Sequence, residues 1–370
     1  MLTRTLRFAL SAVAAPVLAL AGQPSFAAGT IRVDAPVTHD NLTIYVLRGE
    51  SAQGAVPLTL AEAMAKGAVN VHETGNVNQL TLENAGGEDV FVQAGDIVKG
   101  GQQDRVLVVS MLIPAQSGKV PIGSFCVEQG RWAARGKEDV KRFASAEKVM
   151  PSRTAKLAMM APAAEPAAAA TMPAAGPSAP GHAAGRVQQR AASGPGSDTG
   201  SRQSEVWTSV AAVQDKLAKS LSGPVVSPVS ATSLQLALEN RKLAEARGRY
   251  LEALKDKGAA GDDAIGVVFA INGRLNSAEV YPSNGLFRKM WPKLLDAGAT
   301  EAISEKSGKS EPAPDAAAVL AFLAAAEAGK ASEKALNDGL VRETRDSVGA
   351  LVLETKRKAG TFLHRSYVMK

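Results

Sequence analysis

The sequence predicts an α+β fold: a β-rich N-terminal half made of antiparallel hairpins, packed with a helix-rich C-terminal half that itself ends in antiparallel strands. Three observations predict it. Short runs rich in β-branched residues, punctuated by Gly and Asn, crowd the chain between residues 30 and 130. Apolar residues at helical spacing dominate 204–257 and 284–328. The closing stretch, 340–368, returns to short strand-like runs.

Taken in order, Arg4 and Arg7, the apolar run 8–21 and the small residues around Ser25-Phe26-Ala27 have the form of a cleavable leader. Residues 1–27 are therefore expected to be a signal peptide, and the mature chain periplasmic or secreted. No later run approaches the roughly 20 apolar residues of a spanning helix, so no integral membrane segment is expected after cleavage. A single Cys in 370 residues closes no internal disulfide, which leaves the fold to rest on burial. The formal charge of +6, or +4 without Arg4 and Arg7, is interspersed with acids, and aromatics are 4%; this argues against a nucleic-acid partner.

In the β-rich half, 28–160, Ile31 and Val33 alternate with polar neighbours and 42–47 (LTIYVL) is a strand. Thr59-Leu60-Ala61-Glu62 is a capping box opening a short helix that closes at Gly67. Strands are expected at 69–73, 79–83 and 89–93, with Gly86-Gly87 as a hairpin turn between the last two. The run 106–113 reads as one strand ending at Pro114, followed by a turn and a partner strand at 120–127. Residues 161–203, dominated by Ala, Pro, Gly and Ser, are expected to be a disordered insert.

The α+β half, 204–370, opens with a helix at 204–221 whose apolar face carries Trp207, Val210, Ala211, Gln214, Leu217 and Leu221. A longer helix spans 232–257 and stops at Gly258. Asn272-Gly273 joins two strands, 266–271 and 274–281, in a hairpin. Asn284 caps a helix that turns Leu286, Phe287, Met290 and Trp291 inward, with a kink or a fresh start at Pro292. A helix at 315–328 and strands at 340–343, 350–354 and 361–368 complete the chain.

Residue types that no core requires concentrate in 96–132. Alternation along 122–128 puts Phe125 and Val127 on one face and Ser124, Cys126 and Glu128 on the other. A hairpin turning at 114–119 brings 105–110 back alongside 123–128. Two chemistries fit the resulting cluster. In the first, a small anionic ligand meets Lys99, Arg105 and Arg131, takes backbone donors from Gly100 and Gly101, is oriented by Gln102 and Gln103, and is roofed by Trp132. In the second, Cys126 is the nucleophile of a hydrolase or transferase, Arg131 stabilises developing charge, and Glu128 or His364 moves protons.

A third reading is an envelope structural or partner-docking protein that reaches its partner through the 161–203 tract. Against all three stand plainer roles: a small buried thiol, an Arg–carboxylate bridge and a tight Gly-Gly turn. Four histidines without H-x-H or H-E-x-x-H spacing assemble no zinc site, and neither a P-loop nor a G-x-S-x-G elbow occurs. No metal and no cofactor is expected.

The segments GDIVKGGQQDR, LIPAQS and FCVEQGRW, the helix start Gln203-Ser204-Glu205-Val206-Trp207, the stretch around Trp291 and the closing His364-Arg365-Ser366-Tyr367 together resemble one family. It is the ARG and rhodanese-phosphatase-superfamily-associated protein domain, a family without an established activity. The resemblance spans 33–369 and implies that the Ala/Pro-rich tract interrupts one domain rather than separating two. It singles out residues and implies no reaction.

Overall fold

A computed structural model of the chain describes residues 31–160, 197–258, 260–309 and 311–370. The expected leader, 1–27, and the expected insert as far as residue 196 lie outside the described residues. Strands and helices are mixed as an α+β fold requires, with antiparallel sheets dominating the first half and helices followed by antiparallel strands the second.

The two halves share their largest sheet. Leu42–Arg48 pairs antiparallel with Ala264–Ile271, and the nine-stranded sheet continues through Arg274–Val280, Phe362–Met369, Ala350–Arg357 and Leu340–Asp346 to the edge strand Lys330–Ala335. The unbroken LTIYVL run follows from this central position. Leu42, Ile44 and Val46 face a core with the helices Arg241–Gly258 and Asn284–Ser304, while Tyr45 and Leu47 face the helix Ala316–Glu327. Trp291 stacks on Phe269 in the first of these layers, with the ring planes 5° apart.

Local signals fix several boundaries. The Thr59 side chain accepts from the Glu62 N–H and Glu62 returns a bond to the Thr59 N–H, opening the helix Leu60–Ala65. Asn272 and Gly273 take φ of 52° and 80°, the left-handed pair that a two-residue hairpin needs. Ser124, Phe125 and Cys126 pair with Leu107, Val106 and Arg105 in a second, six-stranded sheet. The expected pairing therefore forms over three residues, two out of the expected register, but not as a hairpin, since Gly118–Gly123 pairs with Gln79–Asn84 and Met111–Ile113 with Val90–Val92.

Elsewhere tertiary packing overrides the local pattern. The apolar run 106–113 is two strands, Arg105–Leu107 in the six-stranded sheet and Met111–Ile113 in a small three-stranded one, because Ser110 leaves the ladder to bond other groups. Gly86-Gly87 closes no hairpin: Gln79–Asn84 pairs with Val69–Glu73 and Gly118–Cys126, whereas Val90–Val92 pairs with Met111–Ile113 and, in parallel, with Leu58–Thr59.

The expected 232–257 helix breaks at Glu239-Asn240 into Leu234–Leu238 and Arg241–Gly258, with the Asn240 side chain accepting from the Leu243 N–H. Ser283, not Asn284, caps the following helix, and Pro292 sits inside one continuous helix, Asn284–Ser304. The helix expected from 204 begins at Ser197 and buries Val206, Val210, Val213 and Leu217; Ala211 is exposed and Trp207 half-buried. The strands Lys330–Ala335 and Phe143–Val149 carry no alternation that marks them in the sequence, and the helix Arg153–Met160, whose first turn Ser152 Oγ caps through the Ala155 N–H, was not expected.

Candidate functional site

The strand Asp96–Gly100 ends where Gly100 and Gly101 take φ of 118° and 58°. Glycine is required twice over at Gly101, since a Cβ there would stand 2.7 Å from the Phe143 ring. The turn that results carries the chain from Gly100 to Asp104 and starts the strand Arg105–Leu107. Its backbone groups are already engaged. The Gly100 N–H donates to Asp104 Oδ1 at 2.9 Å and the Gly101 N–H to the Arg142 carbonyl at 3.1 Å, while both glycine carbonyls accept from Arg131. The pair is a tight turn held by an arginine, and it presents no free donors to an anion.

Around this turn each cation has a carboxylate. Lys99 Nζ lies 2.7 and 2.8 Å from the two oxygens of Glu239. Arg131 bonds Glu128 at 2.7 Å and also donates to the Ala133 carbonyl. Arg135 forks onto Asp104, with both contacts at 2.9 Å, and reaches Glu138. Asp104 further accepts from Ser233 Oγ, the N-cap of the helix Leu234–Leu238, which ties that helix to the turn.

Burial alone would raise the Glu128 carboxyl, but hydrogen bonds from Arg131, Ser230 and the Asp104 N–H outweigh it and hold the group below its ordinary value. Burial likewise disfavours the charged form of Arg135, and its bonds to Asp104 override that and raise it. Asp104, Arg135, Glu73 and Glu239 complete the cluster but were not among the candidate residues. Asp104 and Arg135 stand in or beside the motif segments and were readable there as unexplained charges; Glu73 and Glu239 reach the site only through folding.

Cys126 is fully buried opposite Arg105, itself fully buried. Arg105 donates to Glu73 at 3.1 and 3.2 Å and to Gln103 at 3.2 Å, and its Nη1 contacts the sulfur at 2.6 Å. Burial pushes the thiol up to about 11; Arg105 opposes the rise, and Glu73 and Glu128 add to it. The backbone N–H and C=O of Cys126 both pair with the side-chain amide of Gln203, each at 2.9 Å, docking the helix Ser197–Ser220 onto the strand Gly118–Cys126.

Above Arg105 lies Trp132, its ring centre 5.8 Å from the guanidinium and half of its surface exposed. Arg105 Nε, under this ring, is buried without a partner, and so are Gln102 Oε1, in the turn before Arg105, and Ser124 Oγ, on the Cys126 face of its strand. Phe125 and Val127 point away into the main core.

His364 is not brought to Cys126. It sits on the nine-stranded sheet, with Nδ1 2.9 Å from Ser110 Oγ and Nε2 3.0 Å from Glu279 Oε2. Ser110 Oγ also accepts the Ala94 N–H at 2.9 Å, which ties the His364 ring to the Ala94 backbone. The Nε2 contact lacks the alignment of a hydrogen bond. Lys156, 3.5 Å away, and His364 keep Glu279 below its ordinary value against burial.

A small, partly open cavity of about 10 Å³ touches Lys156, Asn276, Glu279 and Glu301. Burial pushes Glu301 up. Ser110, His364 and Glu279 stand in the order of a nucleophile, base and orienting acid, yet all three are buried, and they form a polar seam between the sheet and the elements packed on it. Among the described residues no group of three or more His, Cys, Asp or Glu is placed to hold a metal ion, and no helix is long and apolar enough to cross a membrane.

Compared with known proteins, residues 30–368 match the family model described as the ARG and Rhodanese-Phosphatase-superfamily-associated Protein domain. No curated protein and no solved structure matches.

Proposed function

The chain belongs to this family, whose activity is uncharacterised, and we propose that it is an exported binding module that takes a small polar ligand under Trp132. The export half of the proposal rests on the leader-like residues 1–27. The binding half rests on one observation: the partnerless buried Nε of Arg105 beneath a half-exposed tryptophan, with unsatisfied polar atoms of Gln102 and Ser124 in the adjoining turn and partner strand. Such atoms are costly unless a ligand or ordered water satisfies them.

Electrostatics narrows the ligand. Lys99, Arg105, Arg131 and Arg135 are matched by Glu73, Asp104, Glu128, Glu138 and Glu239, four cations against five carboxylates. The site therefore favours a ligand with at most one negative charge over a polyanion. Arg105 and Trp132 make the contact, with Gln102 and Gln103 orienting it, while Lys99, Gly100, Gly101, Glu128 and Arg131 build the frame. A thiol-dependent enzyme is the weaker reading, because burial pushes Cys126 up to about 11.

The test is a titration of the mature chain with small monocarboxylates and neutral polar solutes, followed by tryptophan fluorescence and melting temperature. At least one class should shift both signals in the wild type and neither in Trp132→Ala. A panel that leaves both signals flat, or a response that survives Trp132→Ala, would sink the assignment. Amino-terminal sequencing of the chain recovered from an exporting host should begin at Ala28; an intact Met1 would remove the export half.

A further inference from the structure

The outer strands of the nine-stranded sheet sort their charges by face. The registers Glu333↔Glu343 and Glu343↔Glu354 put these acids on one face, where Lys356 and Arg365 pair with them. The registers Lys334↔Arg342, Arg342↔Thr355 and Thr355↔His364 define the opposite face. Within these strands the one acid on that second face is Asp346, at the far end and paired with Lys370.

Arg342 is half-buried, its Nε is closed to solvent and without a partner, and no carboxylate among the described residues pairs with it. A guanidinium so placed is unfavourable, because desolvation is not repaid by an opposite charge. Its near neighbour is a second cation. Arg202, at the start of the helix Ser197–Ser220, lies over Phe125 at 5.4 Å and donates to the Ala158 and Met159 carbonyls. Burial first, and then the charge of Arg202, lower the proton affinity of Arg342. Lys334, exposed on the edge strand, is the cross-strand neighbour of Arg342.

We propose that Arg342, flanked by Lys334 and Arg202, is a binding site for a phosphate-class oxyanion, separate from the site under Trp132 and independent of it. The planar fork of an arginine suits two oxygens of such an anion, and a lysine at the rim adds charge without fixed geometry. The bound anion supplies the counter-charge that the fold leaves out.

The probe is inorganic phosphate, titrated into the mature chain against sodium chloride of equal ionic strength, with melting temperature and calorimetric heat as readouts. The wild type should be stabilised by phosphate beyond the chloride control. Arg342→Gln should lose that response and, without phosphate, melt at or above the wild type, because it deletes an unpaired charge. Lys334→Gln should keep the unliganded melting temperature and bind phosphate several-fold more weakly. A wild type indifferent to phosphate, an Arg342→Gln that still responds, or an Arg342→Gln that melts lower without phosphate would each overturn the proposal, the last by making Arg342 structural.

Discussion

Two arginine-bearing regions of this molecule differ in one respect that decides their roles. In the 99–135 cluster every guanidinium meets a carboxylate: Arg105 with Glu73, Arg131 with Glu128, Arg135 with Asp104. At the sheet edge Arg342 meets none among the described residues, and its neighbours Arg202 and Lys334 carry the same sign. A local concentration of positive residues therefore points to a frame in the first region and to an anion site in the second. What separates them is where the acids fall after folding. The cluster holds loops and a helix cap in place, so its removal should cost stability; the edge site stores an unmet charge, so its removal should not.

The sharpest way to break this comparison is to open the closed cluster. Asp104→Ala leaves Arg135, Ser233 Oγ and the Gly100 N–H without their shared acceptor, and should cost about 3–5 kcal/mol in urea denaturation. Arg131→Ala removes the donor that spans Glu128 and the two glycine carbonyls, with an expected loss of about 2–3 kcal/mol. If either variant melts like the wild type, the cluster is no frame, and Arg131 returns to the list of groups available to a ligand.

Cys126 gives the next measurement. With its thiol pushed up to about 11, iodoacetamide at neutral pH should label the folded protein at least about 100-fold more slowly than a free thiol, with full reactivity returning in denaturant. Fast labelling of the native chain would revive the nucleophile.

The smallest effect is in pH. Glu128 sits below its ordinary value in the folded state, so its contribution is fully present above the unfolded carboxylate value of about 4.3 and is lost as pH falls through the lower folded value. The melting temperature should fall on acidification across that window, and less steeply in Glu128→Gln. Equal slopes in the two proteins would place the acid-labile bonds elsewhere.

Much of the fold was legible because it obeys local rules. The capping box at Thr59 and Glu62, the Asn272-Gly273 hairpin and the strand 42–47 are each specified by a few adjacent residues, and each forms where those residues stand. The split of 106–113 was not legible, since its cause is Ser110 bonding to Ala94 and His364, the latter 254 residues away. The long helix broke at Asn240 because Arg135 and Lys99 hold Ser233 and Glu239 at the ends of a separate short turn. Of the candidate site, the expected pairing of 105–110 with 123–128 forms over three residues, and with the neighbouring strand Asp96–Gly100 it brings Lys99, Gly100, Arg105, Cys126, Glu128, Arg131 and Trp132 into one region. His364 belonged to a different sheet, and nothing in its spacing could say so.

What the sequence by itself determined is the α+β class, the locally signalled elements such as the strand 42–47 and the Asn272-Gly273 hairpin, and the concentration of unusual residues between Asp96 and Trp132, because periodicity, caps and turn residues act over a few positions. What only the tertiary structure decided is which of those charges are spent. Glu73, Asp104, Glu239 and Glu279 find their cations across sheets and helices, and Arg342 finds no acid among the described residues. Pairing energy depends on separation in space and on burial, and neither is a property of position along the chain.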